Sequence, residues 1–185
     1  MIVSKKAIID IDNTLWQFSD ALYLELKKLN SNCSTPDQWC NFNVWEQYCS
    51  FEDFIAIINM IHHNQDSEQY RPYPEAQKFL TTLKNNGFQV IIASHRTPET
   101  AAPTERWLVR HGLPYDELHL SYDKTILFPE ADIVVDDLPR TLEKAVKNGI
   151  PAAGLLFPWN KEYAGCGFEL FGTLDEVLEF ILVSS

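Results

Sequence analysis

Two carboxylates and a hydroxyl fall within five residues in Asp10-Ile11-Asp12-Asn13-Thr14, directly after the apolar run Ala7-Ile8-Ile9. Ser94-His95-Arg96 follows a second apolar run, Phe88 to Ala93, and Asp136-Asp137 follows a third, Ile133-Val134-Val135, with Lys124 just before it. Four carboxylates brought to one place cannot all stay ionised without a cation. A hard divalent ion resolves the crowding, and all-oxygen ligation suits Mg²⁺, which keeps waters and commonly shares its site with phosphate. A carboxylate beside such an ion can attack phosphorus, forming an acyl phosphate that water then hydrolyses. That chemistry needs a second carboxyl group to move a proton, a cation to screen repulsion, and donors for the phosphate oxygens. Asp10 and Asp12 share a facing while the strand continues, and the turn after it can bring Thr14 to the same phosphate. Ser94 and Lys124 are the further donors.

Each of these groups ends a β-branched apolar run of the kind expected for a parallel strand covered on both faces. The first run spans residues 7–11; Ala152 to Phe157 is a fourth candidate strand and Glu117 to Leu120 a weaker fifth. Helical segments lie between them. Pro74 to Asn86 starts on Pro and stops before Gly87, Thr104 to His111 stops before Gly112, and Pro139 to Asn148 stops before Gly149. Thr173 opens a Thr-x-x-Glu capping box leading into Leu174, Val177, Leu178 and Ile181. The alternation predicts an α/β fold, a Rossmann-like parallel sheet with helices on both faces. In such sheets ligands bind at the carboxyl ends of the strands, where the polar groups stand.

The stretch after the first strand breaks the alternation. Leu22, Leu26 and Leu29, a start at Thr35-Pro36-Asp37-Gln38, and Ser50 before Phe51, Phe54, Ile55, Ile58 and Ile61 all signal helix without strand. Residues 17–73 therefore read as a helical insertion into a core formed by 1–16 and 74–185. Residues 16–73 hold 11 of the 23 aromatic residues, enough either to line a substrate pocket or to form the insertion's own core.

The segments Ile8-Ile9-Asp10-Ile11-Asp12-Asn13-Thr14-Leu15, Ile91-Ile92-Ala93-Ser94, Lys124 and Ile133-Val134-Val135-Asp136-Asp137 resemble, in order, the four motifs of the haloacid dehalogenase superfamily. The resemblance implies Asp10 as nucleophile, Asp12 as general acid/base with its backbone carbonyl on the metal, and Ser94 and Lys124 on the phosphate. It also implies that Thr14 helps to position Asp12 and its loop, and that Asp136 with Asp137 completes a metal site shared with Asp10 and Asp12. An acid two residues after the nucleophile points to a phosphatase or phosphotransferase rather than a dehalogenase. Asn13 stands where Gly is frequent in the family, and Asn enters left-handed conformations readily. The insertion corresponds to the family's cap module, with hinges near Trp16 to Ser19 and Tyr70 to Pro74. More narrowly, Asp123-Lys124-Thr125-Ile126, Ala131 to Asp137, and Leu156-Phe157-Pro158-Trp159-Asn160 are similar to the 5'(3')-deoxyribonucleotidase branch, whereas Ser94-His95-Arg96 departs from it. The implied activity is a Mg²⁺-dependent phosphomonoesterase acting on a small phosphate ester such as a (deoxy)nucleoside monophosphate.

His95 and Arg96 read either as contacts to the leaving group or a distal anion of the substrate, or as a solvated loop. His62-His63 resembles a metal pair but lacks matching ligands, and adjacent helical residues face different ways, which favours a surface reading. Cys33, Cys40 and Cys49 read as small core residues rather than a zinc site, and all four cysteines as reduced thiols. Trp159 reads as a pocket cover or as packing at a strand exit.

The formal charge of −11, with no Lys/Arg-rich run, disfavours nucleic-acid polymers and anionic membranes as partners. A composition 45% hydrophobic and 22% charged excludes a disordered chain. The apolar stretch within Met1 to Asp10 is too short for a leader, and no apolar run reaches about 18 residues, so the cytoplasm is the expected location. A phosphate-accepting signalling module would carry its paired acids before a lone Asp, the reverse of the order here. A non-catalytic binding protein of the same fold would have no reason to keep Asp12. No Gly-x-Gly-x-x-Gly follows any strand, which disfavours a dinucleotide oxidoreductase.

Overall fold

A computed structural model describes residues 5–184. The reading of the first ten residues therefore falls in part, for 1–4, outside the described residues. The order is β1 (Lys5–Ile9), α1 (Phe18–Leu29), α2 (Phe51–His63), α3 (Ala76–Asn85), β2 (Phe88–Ser94), α4 (Ala101–Arg110), β3 (Glu117–Leu120), β4 (Ile133–Val135), α5 (Pro139–Lys147), β5 (Ala152–Leu155), β6 (Glu169–Phe171) and α6 (Leu174–Ser184). The six strands form one parallel sheet in the order β3-β2-β1-β4-β5-β6.

The central strands are buried on both faces, and their side chains divide by the two-residue period of a strand. Ala7, Ile9, Val90, Ile92, Ile133 and Val135 join one core with Phe79, Leu80, Trp107, Val177 and Ile181 of α3, α4 and α6. Ile8, Ala93 and Val134 join the other with Phe128, Leu142 and Ala145. The register pairs Ile9 with Ile92 and with Val135, so the central strands stop at nearly the same level.

β1 ends two residues earlier than the sequence suggests. Beyond Asp10 the backbone turns: Thr14 and Leu15 N–H both donate to the Ile11 carbonyl at 3.2 and 2.8 Å, and Asn13 takes a left-handed φ of 54°. β5 likewise stops at Leu155 rather than Phe157. β6 was not anticipated, because three residues are too short to display a period. The Thr173 capping box forms reciprocally, with Thr173 N–H on Glu176 Oε2 at 3.0 Å and Glu176 N–H on Thr173 Oγ1 at 3.2 Å. The Thr35-Pro36 signal yields only a single 3₁₀ turn, Pro36–Gln38, since the residues after it lack helical apolar spacing.

In the stretch between β1 and α3, α1 and α2 pack together through Leu22, Leu26, Ile57 and Ile61, and these side chains are continuous with the first sheet core. Trp16 makes the join, its ring 5.0 Å from Tyr70 and 6.3 Å from Trp107. The two connecting strands of backbone run side by side: Trp16 bridges Pro72, and Tyr73 N–H donates to Leu15 O at 2.8 Å.

Candidate active site

Asp10, Ser94 and Asp136 stand at the carboxyl ends of the adjacent strands β1, β2 and β4. Asp10 N–H donates to Val135 O at 2.9 Å and Asp136 N–H to Ala153 O at 3.1 Å, which locks the two carboxylates into neighbouring rungs. Lys124 lies between them, with Nζ 2.5 Å from Asp10 Oδ1 and 2.6 Å from Asp136 Oδ2. The other oxygen of Asp136 accepts Leu138 N–H at 2.9 Å. Asp137 Oδ2 accepts from Asn13 Nδ2 at 3.1 Å, while Asn13 Oδ1 accepts Ser19 N–H at 2.9 Å. Asn160 was not singled out from the sequence; its amide donates to the carbonyls of Asp137 and Leu155 at 3.1 and 2.9 Å and ties down the loop after β4.

Asp12 faces a different set of groups. Arg96 approaches with both Nε and Nη2, at 3.2 Å from Oδ2 and 2.6 Å from Oδ1. Trp16 Nε1 donates to Oδ1 at 2.9 Å and Ser94 Oγ to Oδ2 at 3.4 Å. His62 Nε2 stands 3.1 Å from Oδ2, close enough for an ion pair but with no hydrogen bond made. The surface reading of His62 is therefore corrected: the residue is buried. The signal was the helical spacing of Phe54, Ile58, Ile61 and His62, which puts the imidazole on the inward face of α2. Arg96, which reads from the sequence as either a substrate contact or a solvated loop residue, is instead 1% exposed and paired with Asp12. Thr14 is fully buried, and its hydroxyl has no hydrogen-bond partner among the described residues. His95 does face the cavity. Of the cysteines, Cys33 is buried as expected, but Cys40 is exposed, because the irregular chain around it turns Trp39 inward instead.

The electrostatics separate the two acids. Burial raises Asp10 to about 7, with Asp136 and Asp12 adding to the effect and Lys124 opposing it. Burial, Asp136 and Asp10 push Asp137 well above the usual carboxylate range. Burial would raise Asp12 too, but Arg96 and His62 together outweigh it and hold this carboxyl far below its ordinary value. Burial and the nearby Arg96 push His62 down, with Asp12 opposing them. Burial and Lys124 bring His95 to about 4. For Lys124, burial is overcome by Asp10 and Asp136, and the ammonium is held charged.

Oxygens of Asp10, Asp136 and Asp137 lie within 4.8 Å of one another, all three residues buried. With Lys124 the cluster carries a formal excess of negative charge in a site that resists it, and the donors are all hard oxygens. These residues fit a divalent cation of the Mg²⁺ type.

Above the carboxylates is a cavity of about 290 Å³. Asp10, Asp12, Ser94 and His95 form part of its floor, and Phe18, Trp39, Trp45, Phe54 and Trp159 much of its wall. Trp45 stacks on Phe54 at 4.3 Å, and Trp159 stacks on Phe157 at 4.4 Å while meeting Trp39 at 6.2 Å. The aromatic-rich stretch thus serves both purposes left open by its composition: Trp16 and Tyr70 pack the core, and Trp39 and Trp45 line the cavity. Phe42 and Tyr122, 49% and 61% exposed, stand on its rim. Among the described residues no Lys or Arg lines it.

A family model described as "5' nucleotidase, deoxy (Pyrimidine), cytosolic type C protein" matches residues 5–179, almost the whole chain. The chain belongs to this family of haloacid dehalogenase-type phosphatases. A curated relative from Chlorobaculum tepidum, described as "Putative 5'(3')-deoxyribonucleotidase", is 31% identical over 83 residues, covering 42% of this chain and 40% of its own length. The chain thus aligns with about two-fifths of that relative. Among solved structures, a predicted phosphatase from Clostridium acetobutylicum superposes with a TM-score of 0.66 at 18% identity, covering 98% of this chain and 99% of its own. The "putative HAD-hydrolase YfnB" from Bacillus subtilis, bound to magnesium, superposes with a TM-score of 0.62 at 12% identity, covering 97% and 99%. At those identities the likeness extends to the fold. No described helix is long and apolar enough to cross a membrane.

Proposed function

We propose that this family member is a Mg²⁺-dependent phosphomonoesterase that passes through an aspartyl-phosphate on Asp10 and takes a nucleoside or deoxynucleoside monophosphate. The observation that carries the reading is Asp10 on the floor of an aromatic cavity, paired with Lys124 and grouped with Asp136 and Asp137. A divalent ion bound by Asp10, Asp136, Asp137 and the Asp12 carbonyl would neutralise charge between the carboxylate and the incoming phosphate.

The chain's own residues carry the steps. An Asp10 oxygen attacks phosphorus, the ester P–O bond breaks, and the leaving oxygen takes a proton from Asp12. Water then attacks the acyl phosphate, giving its proton to Asp12, and the P–O bond to Asp10 breaks to release phosphate. An arriving phosphate dianion adds negative charge beside Asp12 and so raises its affinity for the proton that the first step needs. Lys124 and Ser94 are the donors for the phosphate oxygens. Metal binding by the magnesium-bound structural neighbour fits this reading.

The substrate class rests on the cavity wall and on the family description. A flat, uncharged leaving group suits stacked indole and phenyl rings with no cation among them, whereas a second phosphate or carboxylate would find no counter-charge. The test is phosphate release from nucleoside and deoxynucleoside monophosphates, sugar phosphates, a bisphosphate and an aryl phosphate, with Mg²⁺ or chelator and Asp10→Asn as the blank. Metal-dependent turnover that favours nucleotides and vanishes in Asp10→Asn is expected. Turnover that survives in Asp10→Asn would overturn the mechanism, and preference for a bisphosphate would overturn the substrate class.

A further inference from the structure

Arg96 has almost no donor left over. Nε and Nη2 hold Asp12, Nη2 also reaches Gln65 Oε1 at 3.0 Å, and Nη1 reaches Thr104 Oγ1 at 3.0 Å. Thr104 is fixed in turn by donating to the Thr100 carbonyl at 2.8 Å. The guanidinium is thus braced on one side by helix α4 and on the other by Gln65, two residues beyond α2. A buried side chain whose fork is committed in this way has nothing to offer a substrate.

We propose that Arg96 is a positioning residue for Asp12, and that Gln65 and His62 carry the seating of the helical insertion into that arrangement. The inference rests on Asp12 being the proton donor of the proposed reaction. Both Asp12 oxygens are engaged: Oδ1 by Trp16 and Arg96, Oδ2 by Arg96 and Ser94, with His62 beside it. Four donors on a planar carboxylate fix its rotation as well as its place. Trp16 lies at the entry to the insertion, His62 in the last turn of α2 and Gln65 just past it. Residues from both ends of the inserted stretch therefore meet on the group that protonates the leaving oxygen. Displacing that stretch removes His62 from Asp12 and Gln65 from Arg96 together, loosening the acid. A bidentate fork is what the task requires, and a Lys, as a point charge, would neutralise Asp12 without orienting it.

A purely structural ion pair would slow every substrate alike, whereas a residue that aims a general acid matters most when the leaving group is poor. The experiment compares kcat/KM, which reports the first chemical step, for phenyl phosphate and p-nitrophenyl phosphate, two esters of similar shape that differ in leaving-group basicity. Proteins are the wild type, Arg96→Met, Arg96→Lys and Gln65→Met, and Asp12→Ala with and without Arg96→Met. Arg96→Met is expected to lower kcat/KM for phenyl phosphate at least about tenfold more than for the nitrophenyl ester, within the range of general acid catalysis. In the Asp12→Ala background the same change is expected to cost less than about threefold, since the group being aimed is gone. Arg96→Lys and Gln65→Met should shift the ratio in the same direction by less, and they carry the test if Arg96→Met does not fold. Equal losses on the two esters, with Asp10-dependent turnover intact, would overturn this inference alone. Wild-type protein with no Asp10-dependent turnover of either ester would overturn the proposed reaction and this inference with it.

Discussion

Gly154 on β5 packs so tightly against Asp136 at the end of β4 that a Cβ on it would lie 2.0 Å from the Asp136 carbonyl oxygen. No rotamer change can relieve a clash between a Cβ and backbone, so Gly154→Ala must push the two strands apart where Asp136 is held. Overpacking of this kind costs typically about 1–3 kcal/mol. In a chain of this length the melting temperature should fall by roughly 2–4 °C for each kcal/mol lost. Because the displaced strand carries Asp136, Mg²⁺ affinity should fall too. A thermal melt and a metal titration check this, and a variant with wild-type values of both would show that the strands yield without moving the carboxylate.

The pH response of the metal-free protein has a definite sign. Asp10 ionises at about 7 in the fold against an ordinary 3.8, so the folded state binds more protons than the unfolded state across that interval. Stability from this group is therefore present below about pH 4 and is lost as pH rises toward 7, by an amount on the order of a few kcal/mol. Asp10→Asn removes the buried charge. With chelator present, its melting temperature relative to the wild type should climb between pH 5 and 8. A difference that stays flat with pH would mean that Lys124 fully offsets the burial of Asp10.

Asp12 and the metal cluster should separate on mutation. The Asp12 carboxylate is held by Arg96 and Trp16, while the candidate ligand oxygens belong to Asp10, Asp136 and Asp137. Asp12→Ala should therefore reduce turnover by about 10²–10⁴, the range of a lost general acid or base, while changing Mg²⁺ affinity far less. It also leaves the Arg96 guanidinium buried without its carboxylate, which costs about 3–5 kcal/mol, and Asp12→Asn should be milder. Calorimetric Mg²⁺ binding alongside kinetics tests the split, and a parallel loss of affinity and rate would place the Asp12 side chain in the metal site.

The parts of this site that could be read from the sequence are those in which one short segment carries both the structural and the chemical signal. Ile133-Val134-Val135 is apolar enough to be a buried strand and ends on Asp136-Asp137, so strand and ligands are seen together. Lys124 was legible from its order among the motifs. The Arg96–Asp12 pairing was not, because 84 residues separate the partners and nothing local in Ser94-His95-Arg96 distinguishes a guanidinium turned inward from one in solvent. His62 was obscured by its neighbour His63, although the apolar spacing of α2 pointed it inward. β6 is too short to show a period, and Asn160 acts through backbone carbonyls, which leave no mark in residue types. Long-range polar pairing is what a single chain conceals, since it depends on the packing of elements that only the fold brings together.

The cavity wall supplies the last prediction. Trp45 stacks on Phe54 with ring planes 8° apart, and both side chains face the cavity rather than the carboxylates alone. Replacing Trp45 by Ala removes apolar surface from the place where a leaving group would lie and frees Phe54 from its stack. Aromatic contacts of this kind are worth about 0.5–1.5 kcal/mol beyond burial. KM for a nucleoside monophosphate should therefore rise about tenfold or more once the lost burial is included. Acetyl phosphate, whose leaving group is too small to reach the wall, should show nearly unchanged kcat/KM. A rise confined to the nucleotide identifies the wall as the element that selects the leaving group. An equal loss on acetyl phosphate would instead mean that Trp45 supports the floor of the site, through the packing of α2 that also carries His62.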